Sequence, residues 1–522
     1  MLESESRALP LGDTPIKHAF SAVLLYNIKR KGSLLMNQKI RTRFAPSPTG
    51  YMHIGNLRTA LYEYLVAKKE GGDFILRIED TDQARLVEGS IEIIYDTLNR
   101  VGLHYDEGPN KPGNYGPYVQ SERLPMYKGY AVDLIQKGGA HVCFCDESII
   151  QAQREAADQA GVPFKFQDPC HHLKQADIEQ RVASNEAHVI RQTIHPGAST
   201  VFHDEVYGDI EVERDILDEQ VLLKSDGFPT YNFANVVDDH QMEITHVVRG
   251  NEYLSSTPKY NLLYESFGWD KPTYIHLPPV MKDEQHKLSK RNGDASFQDL
   301  VAKGYLPQAI LNYIALLGWS PEGTQEIFTL EELTKAFSIE RISKSPAIFD
   351  IEKLKWMNGM YLRALALEDF HALCLPYYAT AIQRDCDLLE VSKMLQQRVS
   401  ILAEIPEMVD FIDTFKEYDV QMYFHPKMKT DKAICIQALE ASLEVYNAIE
   451  NWKNVEELHT RLSLVPAALG LKNGQIYWPI RTAVTGKQFT PGGALEIPYI
   501  LGKEESIRRT VFGLEKLKAF QE

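Results

Sequence analysis

The sequence predicts an α/β domain interrupted by an inserted α+β domain and followed by an all-α carboxyl-terminal region. Three patterns predict it. Strand-like and helix-like stretches alternate between residues 40 and 101, the rhythm of a parallel sheet with helical crossovers. That rhythm then breaks into turn-rich and short strand-rich segments before it resumes. From residue 297 onward strand patterns nearly vanish and helical periodicity takes over. The chain accordingly divides into an extension (1–35), two halves of the α/β domain (36–117 and 220–285), an insertion (118–219), a helical region that opens on a cationic loop (286–365), and a second helical region (366–522).

Residues 40–45 alternate apolar and charged side chains and stop at Pro46, which reads as a short strand. Pro46, Pro48 and Gly50 punctuate a loop. Ile54, Leu57, Leu61 and Leu65 then recur at helical spacing as far as Lys69, and Gly71-Gly72 ends the helix. His53 and Gly55 thus stand where a helix begins. Backbone N–H groups and the positive end of the helix dipole collect there, which suits a nucleotide phosphate. Gly55 lets the backbone approach a ligand, and His53 can donate to a phosphate oxygen.

Phe74-Ile-Leu-Arg-Ile78 reads as a buried strand running into Glu79-Asp80-Thr81-Asp82. Open α/β sheets hold ligands at such carboxyl ends. Arg77 is expected to be an internal ion pair with Glu79 or Asp80. Residues 88–101 form an amphipathic helix, 107–117 are turn-rich, 123–137 and 151–159 are helical, and 189–212 are strand-rich. The sheet is expected to resume at 220–224, with a helix from Tyr231, a strand at 245–249 and a helix at 257–267. Helical periodicity then covers 306–317, 330–337, 367–375, 391–405, 434–449 and 455–469.

Composition sets the bounds. A chain of 522 residues suits about three or four domains. A net charge of -16 argues against indiscriminate adhesion to nucleic acid and leaves room for a local basic groove. No apolar run reaches the roughly 18 residues of a membrane span. Six cysteines in a chain this long do not make a disulfide scaffold and imply a reduced, cytoplasmic setting. In residues 1–35, acidic Glu3, Glu5 and Asp13 precede a brief apolar stretch, a poor secretory or transit signal. That segment reads as a dispensable leader or a start-site artefact, with Met36 just ahead of the first strand.

Two motifs carry chemistry besides the helix start. His286-Lys-Leu-Ser-Lys-Arg291-Asn-Gly293 places cations, a hydroxyl and a glycine on one loop. Lys287 and Lys290 are point charges suited to a triphosphate; alone, the run would equally be a solvated basic turn. Cys143-x-Cys145 followed by Cys170-x-His172 offers three thiolates and an imidazole, the ligand count of a closed, structural zinc site. His171 is an alternative fourth ligand, and the bland reading is buried cysteines beside a surface histidine pair.

Together, Arg43-Phe-Ala-Pro-Ser-Pro-Thr-Gly50, His53-Ile-Gly55 and Lys287-Leu-Ser-Lys-Arg291 resemble the class I aminoacyl-tRNA synthetases, and more narrowly the bacterial-type glutamyl-tRNA synthetases. The resemblance extends through Arg77-Ile-Glu-Asp-Thr-Asp82, the stretches 229–239 and 249–258, Gly474-Gln475, Arg481-Thr-Ala-Val-Thr-Gly486 and Leu501-Gly-Lys503. It departs at Asn56, where the family's first signature commonly ends in His, and at Leu288, where the second carries Met.

The resemblance implies a Rossmann-like catalytic domain, an insertion that grips the tRNA acceptor end, a stem-contact region at 286–365 and an anticodon-binding region at 366–522. It implies an ATP site of Pro46, His53, Gly55, Asn56, Glu252, Val280, Lys287, Leu288, Ser289, Lys290 and Arg291, with His53, Gly55, Lys287, Ser289 and Lys290 catalytic. Arg43, Tyr231, Asn235 and Arg249 would meet the carboxylates of L-glutamate, Ser47 and Glu79 its ammonium, and Ala45 would line the same pocket. Two guanidiniums offer forked, charge-assisted bonds, and a salt-bridged side-chain carboxylate would exclude glutamine's neutral amide. ATP with Mg²⁺, one structural Zn²⁺ and tRNA(Glu) are the implied cofactors and partner, in a cytoplasmic monomer without membrane contact. Zinc occurs in this insertion in some members. The chemistry implied is adenylation of glutamate followed by attack of the terminal ribose hydroxyl of tRNA, with no covalent enzyme intermediate. Tyr361, Arg363, Trp478 and Arg481 serve equally well as anticodon contacts or as core. A glutaminyl relative would end in β-barrels, and a truncated tRNA-modifying relative would lack the helical carboxyl half present here.

Overall fold

The computed structural model describes residues 39–288 and 296–521. The expectations for residues 1–35 and for Ser289, Lys290 and Arg291 lie outside the described residues.

Strand β1 (Arg41–Phe44) pairs in parallel with β2 (Asp73–Leu76), and the helix Ile54–Lys69 crosses between them. The helix has the bounds its leucine spacing predicts. Its stripe of Ile54, Leu57, Leu61 and Leu65 is fully buried against Phe74, Leu76, Val248 and Ile275. Each such side chain contributes about 1.5–3 kcal/mol through burial. All four residues of β1 are buried, so its two arginines cannot face water and must be paired inside.

Strands β3 (Ala140–Cys143) and β4 (Val189–Gln192) run antiparallel, and β5 (Thr200–Asp204) forms a hairpin with β6 (Gly208–Val212). They are followed by β7 (Val221–Leu223), β8 (His246–Gly250) and β9 (Thr273–Leu277). One sheet has the order β6-β5-β9-β8, with β5 and β8 both parallel to β9. A hydrogen bond of 3.0 Å from Thr245 N–H to the Arg41 carbonyl joins its β8 edge to β1.

The strands in the middle of the chain differ from expectation. The segment at 220–224 was expected to restart the parallel sheet. Instead β7 pairs antiparallel with β4 and completes a three-stranded sheet with β3, while the return to the parallel sheet comes earlier, at β5. Short β-branched runs announce strands but not their partners, because alternation reports a face and not a neighbour.

The carboxyl half is helical, as expected. One core gathers Phe370, Cys374, Val391, Leu395 and Phe411, and a second gathers Tyr423, Leu439, Tyr446, Leu458 and Ile480. The helix Lys432–Ala448 starts where the Asp431 carboxylate accepts from the Ile434 N–H at 2.8 Å, and Val455–Leu469 ends at left-handed Gly470. Tyr361 belongs to the interior: its hydroxyl bonds to the Phe328 carbonyl and Asn312. Trp478 and Arg481 are half-buried, stacked at 4.4 Å. No helix among the described residues is long and apolar enough to cross a membrane, and all six cysteines are free thiols.

Arg509 on the last helix, Lys503–Ala519, is fully buried. It donates to the carbonyls of Phe411 (2.7 Å), Val484 (2.8 Å) and Ile412 (3.0 Å), with its Nε held by Glu505 at 2.6 Å. Arg509→Leu would leave three buried carbonyls unpaired and should destabilise the helical region by about 3 kcal/mol or more. Denaturant unfolding followed by circular dichroism measures this, and an unchanged midpoint would contradict it.

Candidate active site

The helix start is built by His53. Its Nδ1 accepts the Gly55 N–H at 3.0 Å, so His53 is the N-cap of Ile54–Lys69. An accepting Nδ1 puts the ring proton on Nε2, which makes that nitrogen a donor. The Gly55 amide is therefore spent inside the cap. A Cβ at Gly55 would lie 3.1 Å from His53 Nδ1, so glycine leaves room for the imidazole. The Pro-rich loop is pinned from below: Glu79 N–H bonds to the Pro46 carbonyl, Val87 N–H to that of Pro48, and Gly50 N–H to Ser90 Oγ. Pro46 is buried, Ala45 partly so, and Ser47 and Asn56 are exposed beside it.

The cationic loop is tied on both sides. Strand β10 (Val280–Met281) pairs with β11 (Ala347–Ile348), and the chain then folds back so that Leu288 N–H bonds to the Val280 carbonyl at 3.2 Å. Lys287 bridges Met281 in the same turn and is exposed. On the far side Ser296 forms an antiparallel bridge with His53, and Phe297 N–H bonds to the Met52 carbonyl at 2.9 Å. Ser296, three residues past the cationic run, thus pairs with His53, more than 200 residues earlier in sequence.

Beside them lies a buried set of charges. Asp239 Oδ1 is shared by Arg43 Nε at 3.0 Å and Arg77 Nη1 at 2.7 Å; Arg77 also holds Glu79 at 2.9 Å. Arg77 is the internal ion pair the sequence suggests. Arg43 further meets Glu63 at 3.2 Å and the Val248 carbonyl at 3.4 Å. Burial pulls the Arg43 guanidinium down, and the carboxylates of Asp239 and Glu63 together more than offset it. Glu63 is raised well above the usual carboxylate range by burial, which Arg43 only partly counters.

Arg249 is different. It is 5% exposed, and no carboxylate among the described residues pairs with it. Its Nε bonds to His276 Nε2 at 3.1 Å and its Nη2 to Thr257 Oγ1 at 2.7 Å. The rings of Tyr253, Tyr260 and Tyr274 surround it at 4.9–5.3 Å. Tyr231 packs against Tyr253 in a tilted pair, ring centroids 5.4 Å apart. The Tyr231 hydroxyl is raised well above its ordinary value, chiefly by burial and then by the Glu79 carboxylate, while Arg249 works in the opposite sense. Glu79 and Arg249 thus both lie close enough to Tyr231 to act on its hydroxyl. Asn235 is buried behind Tyr231, donating to its carbonyl at 2.7 Å. Glu252 is exposed, folded back over Gly250.

A family model for the catalytic domain of class I tRNA synthetases (E and Q) matches residues 39–356, and one for an anticodon-binding domain matches 369–512. The glutamate–tRNA ligase of Clostridium botulinum (strain Hall) is 57% identical over 488 residues, covering 93% of this chain and 100% of the relative. The chain belongs to the bacterial-type glutamate–tRNA ligases. The Clostridium tetani ligase is 58% identical over 480 residues, covering 92% of this chain and 98% of its own. Among solved structures, a glutamate tRNA ligase from Elizabethkingia meningosepticum, crystallised with its amino acid, superposes with a TM-score of 0.82 at 32% identity, covering 92% of this chain and 100% of that one.

The ligase carries a thiol cluster in its insertion. Cys143, Cys145 and Cys170 converge, with the Sγ atoms of Cys145 and Cys170 3.7 Å apart. The fourth group within ligand range is Asp168; His172, the fourth ligand expected from sequence, is exposed and lies outside that set. The turn Pro169–His172 is capped by the Asp168 carboxylate, which accepts the Cys170 N–H at 2.8 Å and so lies beside the thiols. His171, the alternative ligand, pairs with Glu219 at 2.8 Å.

Sequence reasoning also passed over Thr257, His276 and Asp204, which frame Arg249. Tyr274-Ile-His-Leu277 did carry a signal: a polar side chain in an otherwise apolar run, which a buried strand tolerates only when it is hydrogen-bonded.

Proposed function

We propose that the ligase activates L-glutamate with ATP and transfers the glutamyl group to the 3' end of tRNA(Glu), in cytoplasmic translation. The observation that carries this reading is Arg249, a buried guanidinium with no carboxylate of its own among the described residues, next to Val248, whose carbonyl accepts from Arg43. An uncompensated buried cation is costly, and a substrate carboxylate supplies the missing charge.

In the first step a glutamate α-carboxylate oxygen attacks the α-phosphorus of ATP and pyrophosphate leaves. In the second a terminal ribose hydroxyl of tRNA attacks the activated carbonyl and AMP leaves. Arg249, with Tyr231 and Asn235, orients the carboxylates, and Arg43 is a second contact whose charge is already partly offset. Glu79 and Ser47 accept from the ammonium, and Ala45 lines the wall. His53 Nε2–H donates to the phosphates from one side, where Pro46, Gly55, Asn56 and Glu252 frame the nucleotide. Lys287 and Lys290, with Ser289 and Arg291, act from the other side, and Val280 and Leu288 pair with each other just ahead of Ser289. Placement and charge stabilisation are the whole of the catalysis. Mg²⁺ carried on the triphosphate would offset its charge. Glutamine is disfavoured because its neutral amide leaves Arg249 unpaired. Incubation with ATP, labelled glutamate and tRNA(Glu) transcript should give acid-precipitable glutamyl-tRNA; no charging under any tRNA would overturn the reading.

Three thiols and a carboxylate within ligand range of one another fit a structural Zn²⁺ held by Cys143, Cys145, Cys170 and Asp168. Elemental analysis should find about one zinc per chain. Asp168→Ala should lose most of it and His172→Ala should retain it; the reverse pattern would restore His172 as the ligand.

A further inference from the structure

The hold on Arg249 is itself organised. Asp204 and His276 are both fully buried. Asp204 Oδ1 accepts the N–H groups of Val206 (3.0 Å) and Tyr207 (2.8 Å), and its Oδ2 accepts the His276 N–H at 3.0 Å and faces His276 Nδ1 at 2.6 Å. A carboxylate ringed by donors fixes the imidazole proton on Nδ1. The other nitrogen, Nε2, is then a lone pair, and it is this lone pair that receives Arg249 Nε–H at 3.1 Å. Burial pushes the His276 imidazole down to about 4 despite Asp204, so it is neutral at physiological pH. A protonated ring would set N–H against N–H and cation against cation. Thr257 completes the cradle: Oγ1 accepts from Arg249 Nη2 and lies 2.8 Å from the Tyr253 carbonyl.

The contrast with the neighbouring arginines is chemical. Arg43 and Arg77 are fixed by carboxylates and are thereby offset. Arg249 is fixed by an imidazole and a hydroxyl, while the carboxylate that sets the geometry stands one ring away. Orientation is supplied without neutralisation.

We propose that Asp204 and His276 are positioning residues for substrate selection, holding the Arg249 guanidinium in place through an Asp204–His276–Arg249 chain while leaving its charge for a substrate carboxylate. This rests on the assignment of Arg249 to glutamate made above. The experiment is ATP–pyrophosphate exchange at saturating ATP and tRNA, read as separate KM and kcat values. His276→Phe keeps the ring and removes the acceptor. It should raise the glutamate KM on the order of 10- to 100-fold, with the ATP KM nearly unchanged. His276→Gln, whose amide oxygen can accept from Arg249, should recover most of that loss. Asp204→Asn, which frees the tautomer, should raise the glutamate KM in the same direction and serves should His276→Phe fail to fold. A merely structural role would lower the melting temperature and leave KM alone. A glutamate KM unmoved in folded His276→Phe or Asp204→Asn, while Arg249→Gln raises it, overturns the chain of positioning. A glutamate KM unmoved in Arg249→Gln overturns the assignment beneath it.

Discussion

Arg249→Gln should raise the glutamate KM by about 100- to 1000-fold with little change in the ATP KM. Breaking a buried, hydrogen-bonded charge pair by removing one partner costs about 3–5 kcal/mol, and the lower part of that span corresponds to this range. The size of the effect follows from the absence of an understudy: Arg43 and Arg77 are already shared between Asp239, Glu63 and Glu79 and cannot swing to a new carboxylate without abandoning buried ones. Arg249→Lys keeps the charge and loses the fork, so it should fall between the two. A change of less than about tenfold in Arg249→Gln would mean that the carboxylate is held elsewhere.

Lys290→Ala should lower the exchange rate by about 100- to 1000-fold while leaving tRNA affinity unchanged. Removing one preorganised charge aimed at a transition state costs on that order. Lys290 itself lies outside the described residues, but both flanks of its loop are fixed, Leu288 on Val280 and Ser296 on His53. Exchange within a few-fold of the unaltered chain would remove the loop from the mechanism.

The parts legible in the sequence were those set by local physics. The Ile54–Lys69 helix announced itself through leucines at helical spacing and a glycine stop, and the buried Arg77 pair through an arginine inside an apolar run. Pairing between distant segments was not legible. Nothing in Val221–Leu223 says that it completes the insertion's sheet rather than the parallel one. The nearness of Asp168 to the three thiols was hidden for a related reason: the spacing of Cys170 and His172 matches a ligand pair, and only the capped turn shows that Asp168 faces inward. The inequality of Arg43 and Arg249 is likewise a fact of packing, since it depends on Asp239 and Glu63 arriving from other helices.

Pyrophosphate exchange with glutamate or glutamine at equal concentration, with ATP and tRNA(Glu) present, tests the central claim most directly. Brisk exchange with glutamate and background exchange with glutamine is the expected result, because only a second carboxylate matches the unpaired guanidinium. Equal exchange with the two amino acids, or none with glutamate, would contradict it.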